Sequence, residues 1–137
     1  MSQWTHVTAL IRYDAVLAMM GEPITKEELG EISTFENPID DTIIPCGSEG
    51  SLEYEILKTG GDSSLACRAV AFWGDLRDFG KNEIEDVKSI LDYLDKITKD
   101  KMIRSGVVEI TVEFRHKHLY HYNTKTLEWV RAFTKII

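Results

Sequence analysis

A chain of 137 residues is the length of one ordinary domain, and 43% apolar with 28% charged residues is the composition of a folded globule, not of a disordered segment. The 23 acidic residues outnumber the 16 basic ones, giving a formal charge of -7 with lysines and arginines scattered along the chain, which sets nucleic acid and anionic membrane aside as partners. No apolar run approaches the roughly 18 residues of a membrane span, the start lacks the basic-then-apolar layout of a signal peptide, and Cys46 and Cys67 are too few for a disulfide framework or a zinc cluster. The expectation is one cytoplasmic domain spanning residues 1–137, with reduced thiols, no cofactor and no metal.

From Trp4 to Tyr13 the sequence alternates, with Val7, Ala9, Ile11 and Tyr13 on one face and His6, Thr8, Leu10 and Arg12 on the other, which predicts a first strand. Thr25-Lys26-Glu27-Glu28 is a capping box opening a short helix to about Ile32. The stretch from Phe35 to Ser48 holds Pro38, Pro45, Asn37 and paired aspartates and reads as a long loop.

Gly47 to Gly80 reads as a long hairpin turning at Thr59 to Ser64. Leu52, Tyr54 and Ile56 lie on one face of its first strand and Glu53 and Glu55 on the other. Its second strand, Leu65 to Trp73, is partly apolar on both faces and fits a central position. It empties into an acidic, aromatic loop from Trp73 to Gly80.

Asn82 caps a helix to about Thr98, with Glu83, Glu85 and Asp86 at the positive end of the helix dipole and Ile84, Val87, Ile90, Leu91, Leu94 and Ile97 as its apolar stripe. Val107 to Phe114 alternates again, with Val108, Ile110, Val112 and Phe114 inward, and Gly106 is read as closing the preceding connection. Arg115 to His118 reads as a polar turn. Leu119 to Tyr122 and Leu127 to Phe133 read as two short strands, the last also compatible with a helix.

This order predicts an α+β fold of the ferredoxin-like, split βαβ type, with helices on one face of an antiparallel sheet and an added C-terminal β-hairpin. The other face is then left open, carrying His6, Arg12, Glu53, Glu55, Glu109 and Glu113.

No motif specifies a reaction. Trp73, Asp75, Arg77, Asp78 and Phe79, with Glu49 and Arg12, are the candidate binding residues, because charged and aromatic groups on a glycine-flanked loop suit a contact surface. The loop from Cys46 to Ser51 has the makings of an anion nest but lacks the lysine and following helix of a P-loop. His116, His118 and His121 are the nearest approach to a metal cluster, but the basic run Arg115-His116-Lys117-His118 favours an exposed hairpin tip. The outward glutamates, with Arg12 and Arg68, read as a charge ladder.

In the segments SQWTHV, IRYD, PCGSEGSLEYEI and FWGDLRDFG, the chain resembles small uncharacterised proteins carried by bacteriophages and prophages, over Ser2 to Tyr13 and Pro45 to Gly80. The resemblance implies a phage accessory role, including inhibition of a host factor, and brings no catalytic residue with it. The resulting expectation is a non-enzymatic protein that binds a macromolecular partner, or its own copy, through the open sheet face and the acidic-aromatic loop. The alternatives are a binder of a small anionic molecule, held by Arg12, Arg68 or Arg77, and an enzyme using Asp75, Asp78 and Glu49 or Cys46.

Overall fold

The computed structural model describes residues 2–14, 22–30, 44–58 and 68–136, the side chains of 133–136 aside. The elements are β1 (Trp4–Tyr13), α1 (Lys26–Leu29), β2 (Glu53–Lys58), β3 (Arg68–Arg77), α2 (Glu83–Thr98), β4 (Ile103–Val112), β5 (His116–Asn123) and β6 (Glu128–Ile136). The strands form one six-stranded antiparallel sheet in the order β2-β3-β1-β4-β5-β6. β1 is therefore central, paired with β3 on one side and β4 on the other.

Alternation in β1 buries Val7, Ala9, Ile11 and Tyr13. The register sets Ala9 beside Phe72 of β3 and Val108 of β4, and Ile11 beside Val70, so one face of the sheet is continuously apolar. The α2 stripe of Val87, Ile90, Tyr93, Leu94 and Ile97 covers that face, and Leu29 of α1 joins the same cluster. Each fully buried side chain of this kind stabilises the fold by about 1.5–3 kcal/mol.

The polar groups drawn into this core are bonded there. Tyr13 donates its hydroxyl proton to the Ile97 carbonyl at 2.9 Å and Tyr93 to the Leu29 carbonyl at 2.6 Å. Burial pushes both phenols far above their ordinary range.

The helix ends follow their caps. Thr25 accepts from the Glu28 amide while its hydroxyl donates to the Glu28 carboxylate, and α1 stops at Gly30, whose φ of 94° excludes further helix. Asn82 accepts from the Glu85 amide at 3.0 Å to start α2. α1 thus ends at Leu29, short of the predicted end near Ile32; residues 31 and 32, the turn at Thr59 to Ser64, Cys67 and most of the Phe35 to Ser48 loop lie outside the described residues.

Several boundaries differ from the sequence reading. β3 continues through Arg77, so the segment from Trp73 onward is strand, and the connection to α2 is only Asp78 to Asn82. The strand persists because Trp4, Thr5 and His6 of β1 continue the ladder opposite Arg77, Leu76 and Asp75. β4 begins at Ile103, and Gly106 sits within it. A Cβ at Gly106 would meet the Trp129 ring at 2.8 Å, so the glycine makes room for that ring and breaks nothing.

Phe114 lies in the β4–β5 turn with φ 61° and is 79% exposed, not inward. β6 is a strand, which removes the helical option for that segment. Arg68 points to the helix-covered side, where it bonds Glu22 at 3.0 Å, and so leaves the charge ladder.

The chain before β2 folds back along the end of β3. Ser48 donates its amide proton to the Arg77 carbonyl at 2.8 Å, and the Arg77 amide donates to the Glu49 carbonyl at 3.0 Å. Gly74 permits this approach, since a Cβ there would stand 2.8 Å from the Ser51 carbonyl oxygen and 3.0 Å from the Leu52 Cα. Among the described residues, no helix is long and apolar enough to cross a membrane.

Candidate functional site

The even residues of β1 and their neighbours form the face that no described helix covers. One row across the strands reads Glu55, Ala71, Leu10, Val107 and His121. The next reads Glu53, Trp73, Thr8, Glu109 and Leu119, and beyond it lie Asp75, His6, Thr111 and Lys117. Leu10 at 41%, Trp73 at 43% and Val107 at 49% exposure keep much of their area in solvent, and Leu57 beside them is equally open. An apolar strip is thus flanked by carboxylates.

Those carboxylates are organised by local bonds. Glu53 accepts from the Trp73 indole at 3.0 Å, which holds the ring across the strands, and Glu109 pairs with Lys117 at 3.2 Å. His6 lies between Asp75, 2.5 Å from Nδ1, and Glu113, 3.3 Å from Nε2. The Asp75 hydrogen bond chiefly, aided by Glu113 and opposed by partial burial, raises the His6 pKa above its ordinary value.

The expected binding residues divide. Trp73, Asp75 and Arg77 alternate onto the open face from β3. Arg77 reaches Glu49 at 2.8 Å, Ser2 Oγ at 2.9 Å and Asp78 at 3.8 Å. Asp78 adopts φ 45° and clasps Gln3, accepting its amide proton at 2.9 Å and donating its own to the Gln3 carbonyl at 2.7 Å.

Phe79 turns inward against the core and leaves the surface group. Arg12 shares the face but stands four positions along β1 from Thr8, the neighbour of Trp73, a separation of about 13 Å at strand rise. Within the Cys46 to Ser51 loop the amides of Gly47 and Ser48 are bonded to the carbonyls of Gly50 and Arg77, which takes two donors from the anion-nest reading. Cys46 is exposed.

A second constellation lies on the opposite face, where the histidines of β5 meet the start of α2. His116 is the first residue of β5, and His118, two positions on, shares its side of the strand and is only 7% exposed. The exposed-tip reading is therefore wrong for His118, because pairing with β4 carries it under α2. His121 points to the open face instead.

Glu83, the first residue of α2, closes on both rings. His116 Nδ1 lies 2.9 and 3.0 Å from its two oxygens, His118 Nε2 lies 3.2 Å from Oε2, and the His116 amide donates to Oε2 at 2.9 Å. Burial pushes the Glu83 carboxyl up, but the bonds from His116 and His118 together outweigh it and hold the carboxyl below its usual value. The spacing of the two histidines was visible in the sequence. Their convergence with Glu83, 33 positions from His116, was not.

Glu83 forms part of the wall of two grooves. One, of about 370 Å³, runs between α2 and the β5–β6 strands past Val87, Leu91, His118, Tyr120 and Arg131. The other, of about 300 Å³, opens at the start of α2 beside Gln3, Asn82, Arg115 and His116.

Comparison with known proteins returns no match to a family model, to a curated protein or to a solved structure.

Proposed function

We propose that this is a non-catalytic interaction protein that docks a basic protein surface on its uncovered sheet face. The observation that carries the reading is the strip of Leu10, Trp73 and Val107, left exposed on a rigid sheet and flanked by Glu53, Glu55, Glu109 and Asp75. Aromatic and aliphatic groups at the centre of a patch supply affinity, while a rim of one charge selects a partner of the other. Among the described residues Arg12, Arg77, Lys117 and the histidines His6 and His121 share the face, with Arg77 and Lys117 already paired to Glu49 and Glu109, and the whole chain carries -7, so a basic partner is favoured over a second copy.

The fold is read as the split βαβ plan, with β5 and β6 as the appended hairpin. The order β2-β3-β1-β4, all antiparallel, supports that reading. The resemblance to phage-borne proteins supports a host-cell setting, where such a surface would occupy a host or phage component.

The test is partner capture from a host extract by the wild type and by two variants, Leu10→Ala with Trp73→Ala and Glu53→Lys with Glu55→Lys, with cross-links mapped on the captured complex. The expected result is a basic partner that is lost from both variants, weakens as salt rises, and cross-links to β1, β3 and β4. Capture unchanged in both variants, or a salt-insensitive homodimer burying the same strip in native mass spectrometry, would overturn the proposal.

A further inference from the structure

Glu83, His116 and His118 place three ligating atoms within 4.8 Å of one another on two different elements. We propose that these residues form a binding site for one divalent transition-metal ion of the zinc class, with its remaining coordination positions open to the adjoining grooves. The donor set, two imidazoles and one carboxylate, is that of three-ligand zinc sites that keep a place for water or a small ligand. It also discriminates by softness: magnesium and calcium favour all-oxygen shells, whereas imidazole suits zinc, copper, nickel and iron.

The geometry is close to that of a loaded site. Ligands that share an ion at about 2.0–2.1 Å stand roughly 3.0 to 3.5 Å apart. The separations between Glu83 oxygens and the two ring nitrogens are already 2.9 to 3.2 Å. The two ring nitrogens lie within 4.8 Å of each other and would draw together by up to about 1.5 Å to seat the ion, which takes the place of the protons each ring now shares with Glu83. Those protons pass to the other ring nitrogens or to solvent, and no redox change is involved.

Three features prepare the site. Strand geometry holds the two rings on one side of β5, with centroids 6.0 Å apart. The His116 backbone amide fixes one Glu83 oxygen, and the Asn82 cap fixes the helix turn from which Glu83 projects. Burial of His118 keeps its ring from competing hydration on one side. A surface ion pair alone contributes little to stability, and two histidines sharing one carboxylate exceed what capping α2 requires, since Asn82 already does that.

The experiment is titration of chelator-treated protein with Zn²⁺ by calorimetry and with Co²⁺ by visible absorption. The expected result is one ion per chain, with Co²⁺ bands of a nitrogen–oxygen site and a higher melting temperature with Zn²⁺. Glu83→Gln and His116→Gln, both at partly exposed positions, should each weaken binding at least about tenfold and alter the Co²⁺ spectrum. His6→Gln and His121→Gln should change neither. Absence of one-to-one uptake by the folded wild type, or uptake and spectrum indifferent to both Glu83→Gln and His116→Gln, would overturn the proposal.

Discussion

Thr5 is a short side chain with a large assignment. Its hydroxyl donates to Asp86 Oδ2 at 2.9 Å in a fully buried pair. Burial, aided by the nearby Glu85 and Glu83 and only partly offset by bonds from Thr5 and the Gly80 amide, raises the Asp86 pKa, so the ionised form is disfavoured in the fold. A carboxyl raised in this way contributes stability below its unfolded value, about 3.9, and loses that contribution as pH rises through the folded value.

Replacing Thr5 with valine removes the donor at nearly constant shape and raises that pKa further. The expected loss is about 1.5–3 kcal/mol near pH 7, shrinking as the pH falls and Asp86 becomes protonated, as read by urea unfolding across the acid range. A loss independent of pH would mean that the bond does not serve the charge.

At the scale of elements, the end of β3 depends on what is laid across it. Gly74→Ala would drive a methyl group into the Ser51 carbonyl and the Leu52 backbone, neither of which is free to rotate away. The expected cost is about 1–3 kcal/mol in chemical unfolding, whereas Thr8→Ala, exposed on the neighbouring strand, should cost far less. Equal losses would show that the crossing segment yields.

The elements were legible wherever the sequence stated its own period. β1 and α2 alternate or repeat cleanly, and their caps and bounds follow from residues within them. The misreadings came from partners distant in sequence. Gly106 looks like a break until Trp129 is laid against it, and the turn read over Arg115 to His118 gives way to strand from His116 once β6 pairs along it. Likewise the strand at Trp73 to Arg77 is sustained by β1, which no local signal in its glycine and aspartates announces. The open face was readable from alternation, but the meeting of Glu83 with two histidines is a product of helix placement.

For the whole molecule, the sheet order separates protected strands from edges. β1, β3 and β4 share the cluster of Ile11, Val70, Phe72, Val108 and Ile110, while among the described residues β2 and β6 each pair on one side. Hydrogen exchange should therefore be slowest in β1 and in the middle of β3 and β4, and faster by orders of magnitude at the unpaired amides of β2 and β6. Protection of β6 matching that of β1 would indicate a further strand or chain on that edge.

The central place of β1 also dictates an order of assembly. Its register partners, from Arg68 to Arg77 and from Ile103 to Val112, are made long after it: Trp4 meets Arg77 and Thr5 meets Val112. During synthesis the strand that anchors the sheet must therefore wait, with Val7, Ile11 and Tyr13 unburied, until most of the chain has left the ribosome. Closing those long loops comes before their reward, so folding should be slow for a domain of this size, and the waiting strand is where a nascent chain would be held or lost to aggregation.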